Sequence, residues 1–230
     1  MEKRNRDVKE RLIEAAGELF AARGYQGATV RDICRKADAH VGAVNYHFRD
    51  KEGLFAATLE HAHQWSVRKY PPDAGLGPKA SAEERLRAFI RSFLLRVVVG
   101  DAPDWHGRLM AREMAEPSEA LSRMVRNSIH PLYRYLARII RELLSIASDG
   151  GDEIDRTTFL CSMSVTSQCL QYFTSRQVIA ALCPPDFTTS DVEDLTDHIT
   201  RFSLGGIRAI RHGRKIDHLH PHPYQLTEVS

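Results

Sequence analysis

The chain has 230 residues, 43% apolar and 27% charged, with a formal net charge of +2. That apolar share builds a real core and excludes a disordered chain, and no apolar run approaches the roughly 18 residues a membrane span needs. The basic start, MEKRNRDVKERL, has no apolar stretch behind it, so no secretory signal is expected and the cytoplasm is the expected location.

Almost every periodic segment has helical spacing. Leu12, Ala15, Ala16, Leu19 and Phe20 form a buried stripe, which predicts a first helix over 7–23 that Gly24 ends. Thr29 can cap a second helix that buries Ile33 and Ala37, and Asp38-Ala39-His40 makes a turn. A third helix over 41–48 has Val44 and Phe48 on its inner face. Asp50 starts a fourth, running to Lys69, and Pro71-Pro72 stops it. Ser81-Ala82-Glu83-Glu84 is a capping box opening a fifth helix through Val97. A short helix over 107–115 follows. Ser118 caps a long one that Pro131 should bend. One more helix is predicted over 155–182 and a last from Ser190 to Arg211. The loop at 148–152 is rich in glycine and acids. The stretch 213–230 lacks periodicity and is expected to be mobile. Strand-type alternation is absent, so the predicted fold is all-α, with a three-helix N-terminal unit over residues 1–50 and a helical C-terminal domain over 51–212.

The stretch 29–54, TVRDICRKADAHVGAVNYHFRDKEGL, reads as two short helices joined by a tight turn. A helix-turn-helix props its second helix so that the outer face meets base edges in the major groove. Gly42 and Ala43 keep this helix slim. Asn45 can pair with an adenine edge, and Val41 and Ala43 can touch a thymine methyl. Tyr46, His47, Lys51, Arg31 and Thr29 can reach phosphates, which position the protein without reading sequence. Local charge agrees: the first 36 residues hold nine Lys/Arg against six Asp/Glu.

Val44-Asn45-Tyr46-His47-Phe48, followed by Lys51-Glu52 and Leu54 and preceded by Gly24-Tyr25 and Thr29-Val30-Arg31-Asp32-Ile33, resembles the signature of the TetR (tetracycline-repressor-like) family over about residues 8–60. The resemblance implies a homodimeric, all-helical repressor of double-stranded operator DNA, released when a small molecule binds a variable C-terminal domain. It also implies backbone contacts at Thr29, Tyr46, His47 and Lys51. Three positions depart from the pattern: Asp38 stands where a turn glycine is usual, His40 where a Ser/Thr cap is usual, and Asn45 where tyrosine is frequent. Asp tolerates the left-handed conformation a turn needs; His is the poorer cap. The stretch REMAEPSEAL and the proline-interrupted helix after it are similar to the CecR-type branch.

In the C-terminal part, Met110, Arg112, Met114, Met124, His130, Tyr133, Gln168 and Tyr172 are candidate pocket residues. Adaptable methionines with aromatic rings suit an apolar ligand, though ordinary core packing uses the same residues. Cys169, Phe173, Leu195, Ile199, Phe202 and Gly206 lie on the last two helices. They suit either a four-helix dimer interface or the subunit's own core. Four cysteines without CxxC spacing read as free buried thiols. His61 and His63, two apart on a helix, point to different sides; His218, His220 and His222 lack a scaffold. No metal, cofactor or membrane partner is expected. Without a Ser/His/Asp set, a phosphate loop or HExxH, an enzyme is disfavoured. The alternative to a regulator is a helical ligand-binding or interaction protein that does not bind DNA.

Overall fold

The computed structural model describes residues 2–99, 102–146, 154–184 and 191–213, with side chains from residue 7 onward. All regular structure among them is helical: α1 (Glu2–Gly27), α2 (Val30–Lys36), α3 (Gly42–Phe48), α4 (Lys51–Lys69), α5 (Ala82–Val98), α6 (Asp104–Ala115), α7 (Glu119–Met124), a π-turn (Val125–Ile129), α8 (His130–Leu143), α9 (Arg156–Thr174), α10 (Arg176–Leu182) and α11 (Val192–Gly213). The loop at 148–152, the start of the last helix at Ser190 and the tail beyond Gly213 lie outside the described residues.

Side chains that satisfy the first free amides set the helix starts. Thr29 accepts from the Asp32 amide, Asp50 from Gly53 and Asp155 from Thr158. Ser81 and Glu84 form the reciprocal capping box. Gly24 leaves helical geometry at φ 72°, as a helix-ending glycine should, and one further turn follows before α2.

Three helix boundaries differ from expectation. Ser118 occupies the cap position of α7 but makes no cap bond, because its hydroxyl donates to Glu113 Oε2 at 2.6 Å. Pro131 does not kink a continuous helix. The chain widens into a π-turn just before it, where the His130 amide reaches back to the Val125 carbonyl, and α8 then restarts with the proline in its first turn. The helix expected over 155–182 breaks at Ser175 (φ −115°, ψ 23°); α10 beyond it has no buried side chain to hold it in line.

Two apolar cores result. The first joins Leu12, Phe20, Ile33, Val44, Leu54 and Leu59 with Trp105, Leu109 and Met124. The second joins Leu86, Phe89 and Leu94 of α5 to Leu136, Ile140, Val165, Leu195 and Ile199. The first core therefore runs past residue 50 and binds α6 and α7 to the N-terminal helices. Helix α4 packs on α1 and α3 at one side and on α6 and α7 at the other.

Candidate nucleic-acid interface

Arg11 fixes the angle between α2 and α3, a role sequence reasoning missed. Its guanidinium donates to the carbonyls of Ala37 at 2.9 Å and Asp38 at 3.1 Å, and is held in turn by Asp7 at 2.8 Å. The turn it grips uses Asp38 at φ 47°, so aspartate does take the left-handed conformation. His40 caps better than expected. Its Nδ1 accepts from the Gly42 amide at 3.1 Å while its carbonyl takes the Ala43 amide, so an imidazole nitrogen does what a serine oxygen would do.

With that frame set, α3 buries Val44 and Phe48 and turns its other side out. Val41, Gly42 and Asn45 are exposed, and Tyr46 is 76% exposed. Ala43 is half-buried against the core, so Val41 is the freer of the two to touch a thymine methyl. His47 is half-buried with its ring edge-on to Tyr46 at 4.9 Å. Arg31 is exposed on α2. Thr29 is exposed, but its hydroxyl already donates to Asp32 Oδ2 at 2.8 Å. That hydrogen bond comes first in holding the Asp32 carboxyl below its ordinary range. Arg23, Arg35 and Lys36 pair with Asp32 or Glu18, so part of the local positive charge is spent within the protein.

The α3–α4 corner is tight. Arg49 sits at φ 75°, and Asp50 Oδ1 accepts from the Gly53 amide at 2.7 Å, the first cause of that carboxyl's lowered pKa. Lys51 follows, its ammonium 4.4 Å above the Tyr25 ring. Partial desolvation there lowers its pKa. Tyr25 thus holds the lysine at the start of α4, a pairing across 26 positions that no local motif reveals.

The candidate pocket residues do not converge. Met110 and Met124 pack in the first core, whereas Gln168 and Tyr172 belong with the second-core helices. Met114 is exposed at the surface of α6. The Arg112 guanidinium lies over Gly24, 3.1 Å from where a Cβ would be, so it braces the end of α1. His130 is exposed, with its ring 6.4 Å from that of Tyr133. The Tyr133 hydroxyl is buried with no hydrogen-bond partner among the described residues.

The dimer candidates divide as well. Cys169, Leu195 and Ile199 are inside the subunit's own core. Burial pushes the Cys169 thiol up to about 12, so it is a packing group. Phe173 is half-buried beside Gly107 of α6. Phe202, 66% exposed, and Gly206, with open space over it, are on the outer face. Leu160, on the apolar face of the helix before it, is exposed too, as is Ile210, which the sequence pattern did not single out.

Comparison with known proteins agrees with this geometry. Residues 12–58 match the family described as bacterial regulatory proteins, tetR family, and residues 82–207 match the C-terminal domain of the HTH-type transcriptional dual regulator CecR. The chain is 25% identical over 185 residues to the HTH-type transcriptional repressor AcnR of Corynebacterium diphtheriae, covering 69% of this chain and 92% of that one. It is 26% identical over 180 residues to CecR of Shigella flexneri, covering 75% and 78%. A transcriptional regulator from Pseudomonas aeruginosa PAO1, known by crystal structure, superposes with a TM-score of 0.62 at 25% identity, covering 87% of this chain and 92% of its own. These are transcription regulators and not enzymes. The chain belongs to the tetR family of bacterial regulatory proteins, with a C-terminal domain of the CecR class.

Proposed function

We propose that the protein is a homodimeric repressor that grips a palindromic operator with the outer face of α3 and releases it when a small molecule binds residues 51–212. One observation carries the DNA half. Val44 and Phe48 lock the inner side of α3 while Val41, Asn45 and Tyr46 stand exposed beside Lys51. Asn45 reads a base, Val41 touches a methyl, and Tyr46, His47, Lys51, Arg31 and Thr29 hold phosphates. The outward residues Leu160 of α9 and Phe202, Gly206 and Ile210 of α11 supply an apolar surface for the two-fold copy. Half-sites then lie about 34–36 Å apart, or a multiple of this.

Release requires an effector that binds the DNA-incompetent state better than the competent one. Arg96 of α5 supports an effector with an acidic group. Its side chain is half-buried, desolvation lowers its pKa to about 10, and it donates to the Tyr70 carbonyl at 2.9 Å and the Ser92 hydroxyl at 2.8 Å. Among the described residues no carboxylate pairs with it. Helix α4 is the lever, since Glu52 bonds Arg123 of α7 at 2.8 Å while its other side carries α3.

Two substitutions separate backbone contact from base reading. Lys51→Ala weakens operator and random duplex alike and lowers the slope of log K against log salt by about 0.9. Asn45→Ala costs about 1–3 kcal/mol of discrimination at one operator position and leaves random-duplex binding alone. Salt titrations and selection of sites from a random pool measure both. An unchanged slope, or identical selected sites, rejects the corresponding role.

A further inference from the structure

Away from the DNA-facing surface, three metal-ligating side chains from three helices meet where the N-terminal helices join α6. Glu14 comes from α1, His61 from α4 and His106 from α6, and one donor atom of each lies within 4.8 Å of the other two. Glu14 Oε1 is 3.6 Å from His61 Nε2. Its other oxygen, Oε2, accepts from the Trp105 indole N–H at 2.9 Å. Trp105 in turn lies flat on Gly17, where a Cβ would come 2.4 Å from the ring. The carboxylate is therefore held from behind with one oxygen free, as ligating carboxylates are.

His106 is what ordinary packing leaves unexplained. It is 4% exposed, and neither ring nitrogen has a hydrogen-bond partner among the described residues. Its ring sits edge-on to Trp105 at 4.1 Å, Trp65 at 5.5 Å and His61 at 6.2 Å. A phenylalanine would fill that space without stranding two polar atoms, each of which costs about 1–3 kcal/mol when buried unpaired.

We propose that Glu14, His61 and His106 bind a divalent transition-metal ion of the zinc or cobalt class. Two imidazoles and a carboxylate suit such ions; calcium and magnesium want more oxygen donors. Ligands at about 2.0–2.1 Å around a tetrahedral ion sit roughly 3.4 Å apart, so the His61–Glu14 spacing fits already and the widest pair closes by a side-chain adjustment. The fourth position is left for water or a small anion. An ion here ties α1 to α4 and α6, the joint between the DNA-binding helices and the rest. The set is spread over 93 positions of sequence and has no local spacing to give it away. His63, two positions from His61, faces elsewhere, beside Arg96 and Glu60.

The test uses the untagged full chain with His218, His220 and His222 changed to alanine in every sample, so that the tail cannot ligate. Chelator-stripped protein is titrated with cobalt(II). The expected result is one equivalent per chain, the intense visible absorption of a four-coordinate site, displacement by zinc, and a raised melting temperature. Glu14→Gln, which keeps an acceptor for Trp105, and His106→Phe each lose the band and weaken binding at least 100-fold. Trp105→Phe keeps the band but weakens binding about 10–100-fold. If His106→Phe does not fold, Glu14→Gln decides alone, because Glu14 is half-exposed and not part of the core. Absence of the saturable band in the parent chain, or an unaltered band in Glu14→Gln, overturns the site.

Discussion

Gly53→Ala should cost about 3 kcal/mol of stability and most of the specific DNA binding, although alanine is the better helix former. Inside a helix the exchange normally gains up to about 1 kcal/mol. Here a Cβ would stand 2.0 Å from the Phe48 carbonyl oxygen, and the obstacle is main chain that no rotamer change can remove. Forcing it apart is overpacking, which costs about 1–3 kcal/mol and more where the neighbours are rigid. The neighbours are rigid: Arg49 is at φ 75°, and the Gly53 amide is itself bonded to Asp50. Phe48 must move, and α3 tilts with it. The control is Gly107→Ala on α6, where the nearest atom to the new Cβ is a Phe173 ring carbon at 4.0 Å. That exchange should gain about 0.5–1 kcal/mol. Urea unfolding of both variants, with operator binding measured under native conditions, checks the pair. Equal shifts of the same sign would mean that the corner is not strained.

The DNA-binding helices were legible in the sequence because their signals are local. A cap, a turn residue and a pair of apolar residues four apart each act within one turn, and Thr29, Asp38, Val44 with Phe48, and Asp50 all do what their spacing implies. His40 was underrated because an imidazole can offer a free nitrogen as readily as a hydroxyl offers oxygen. The C-terminal helices were harder to orient. Both sides of α9 and α11 carry apolar residues, so periodicity alone does not say which side faces inward. Cys169, Leu195 and Ile199 turn in, while Leu160, Phe202 and Ile210 turn out. Polar residues chosen as ligand anchors failed to converge for a related reason. Arg112 is consumed by its packing on Gly24, and Arg96, an unremarkable arginine in an amphipathic helix, bonds the Tyr70 carbonyl just past the end of α4, 26 positions away. Arg11 with the turn carbonyls, Tyr25 with Lys51, and Glu14 with Trp105 are likewise contacts between elements, and no short motif encodes them.

Phe20→Ala should be the most damaging single truncation in the N-terminal core, at about 3–5 kcal/mol. The ring is fully buried, and it meets Phe55 edge-on at 4.8 Å and Tyr25 at 6.0 Å. Removing it takes away the aromatic contact between α1 and α4. The cavity cannot close by a small shift, because Ile33, Leu54 and Leu59 of the same core belong to helices fixed by their own caps. The effect should also reach the surface. Tyr25 leans on Phe20 and Phe55, and Lys51 leans on Tyr25, so loss of the inner ring frees the lysine proposed to hold a phosphate. Phe89→Ala in the second core gives the contrast, since that ring packs with Phe93 and Tyr135 and has no contact with the α3–α4 corner. Both variants should lose comparable stability. Below their melting temperatures, only Phe20→Ala should also show a reduced salt dependence of DNA binding, the signature of a lost phosphate contact. If the two variants share one salt slope with the parent, Lys51 keeps its place without the aromatic stack beneath it, and the coupling from core to surface does not exist.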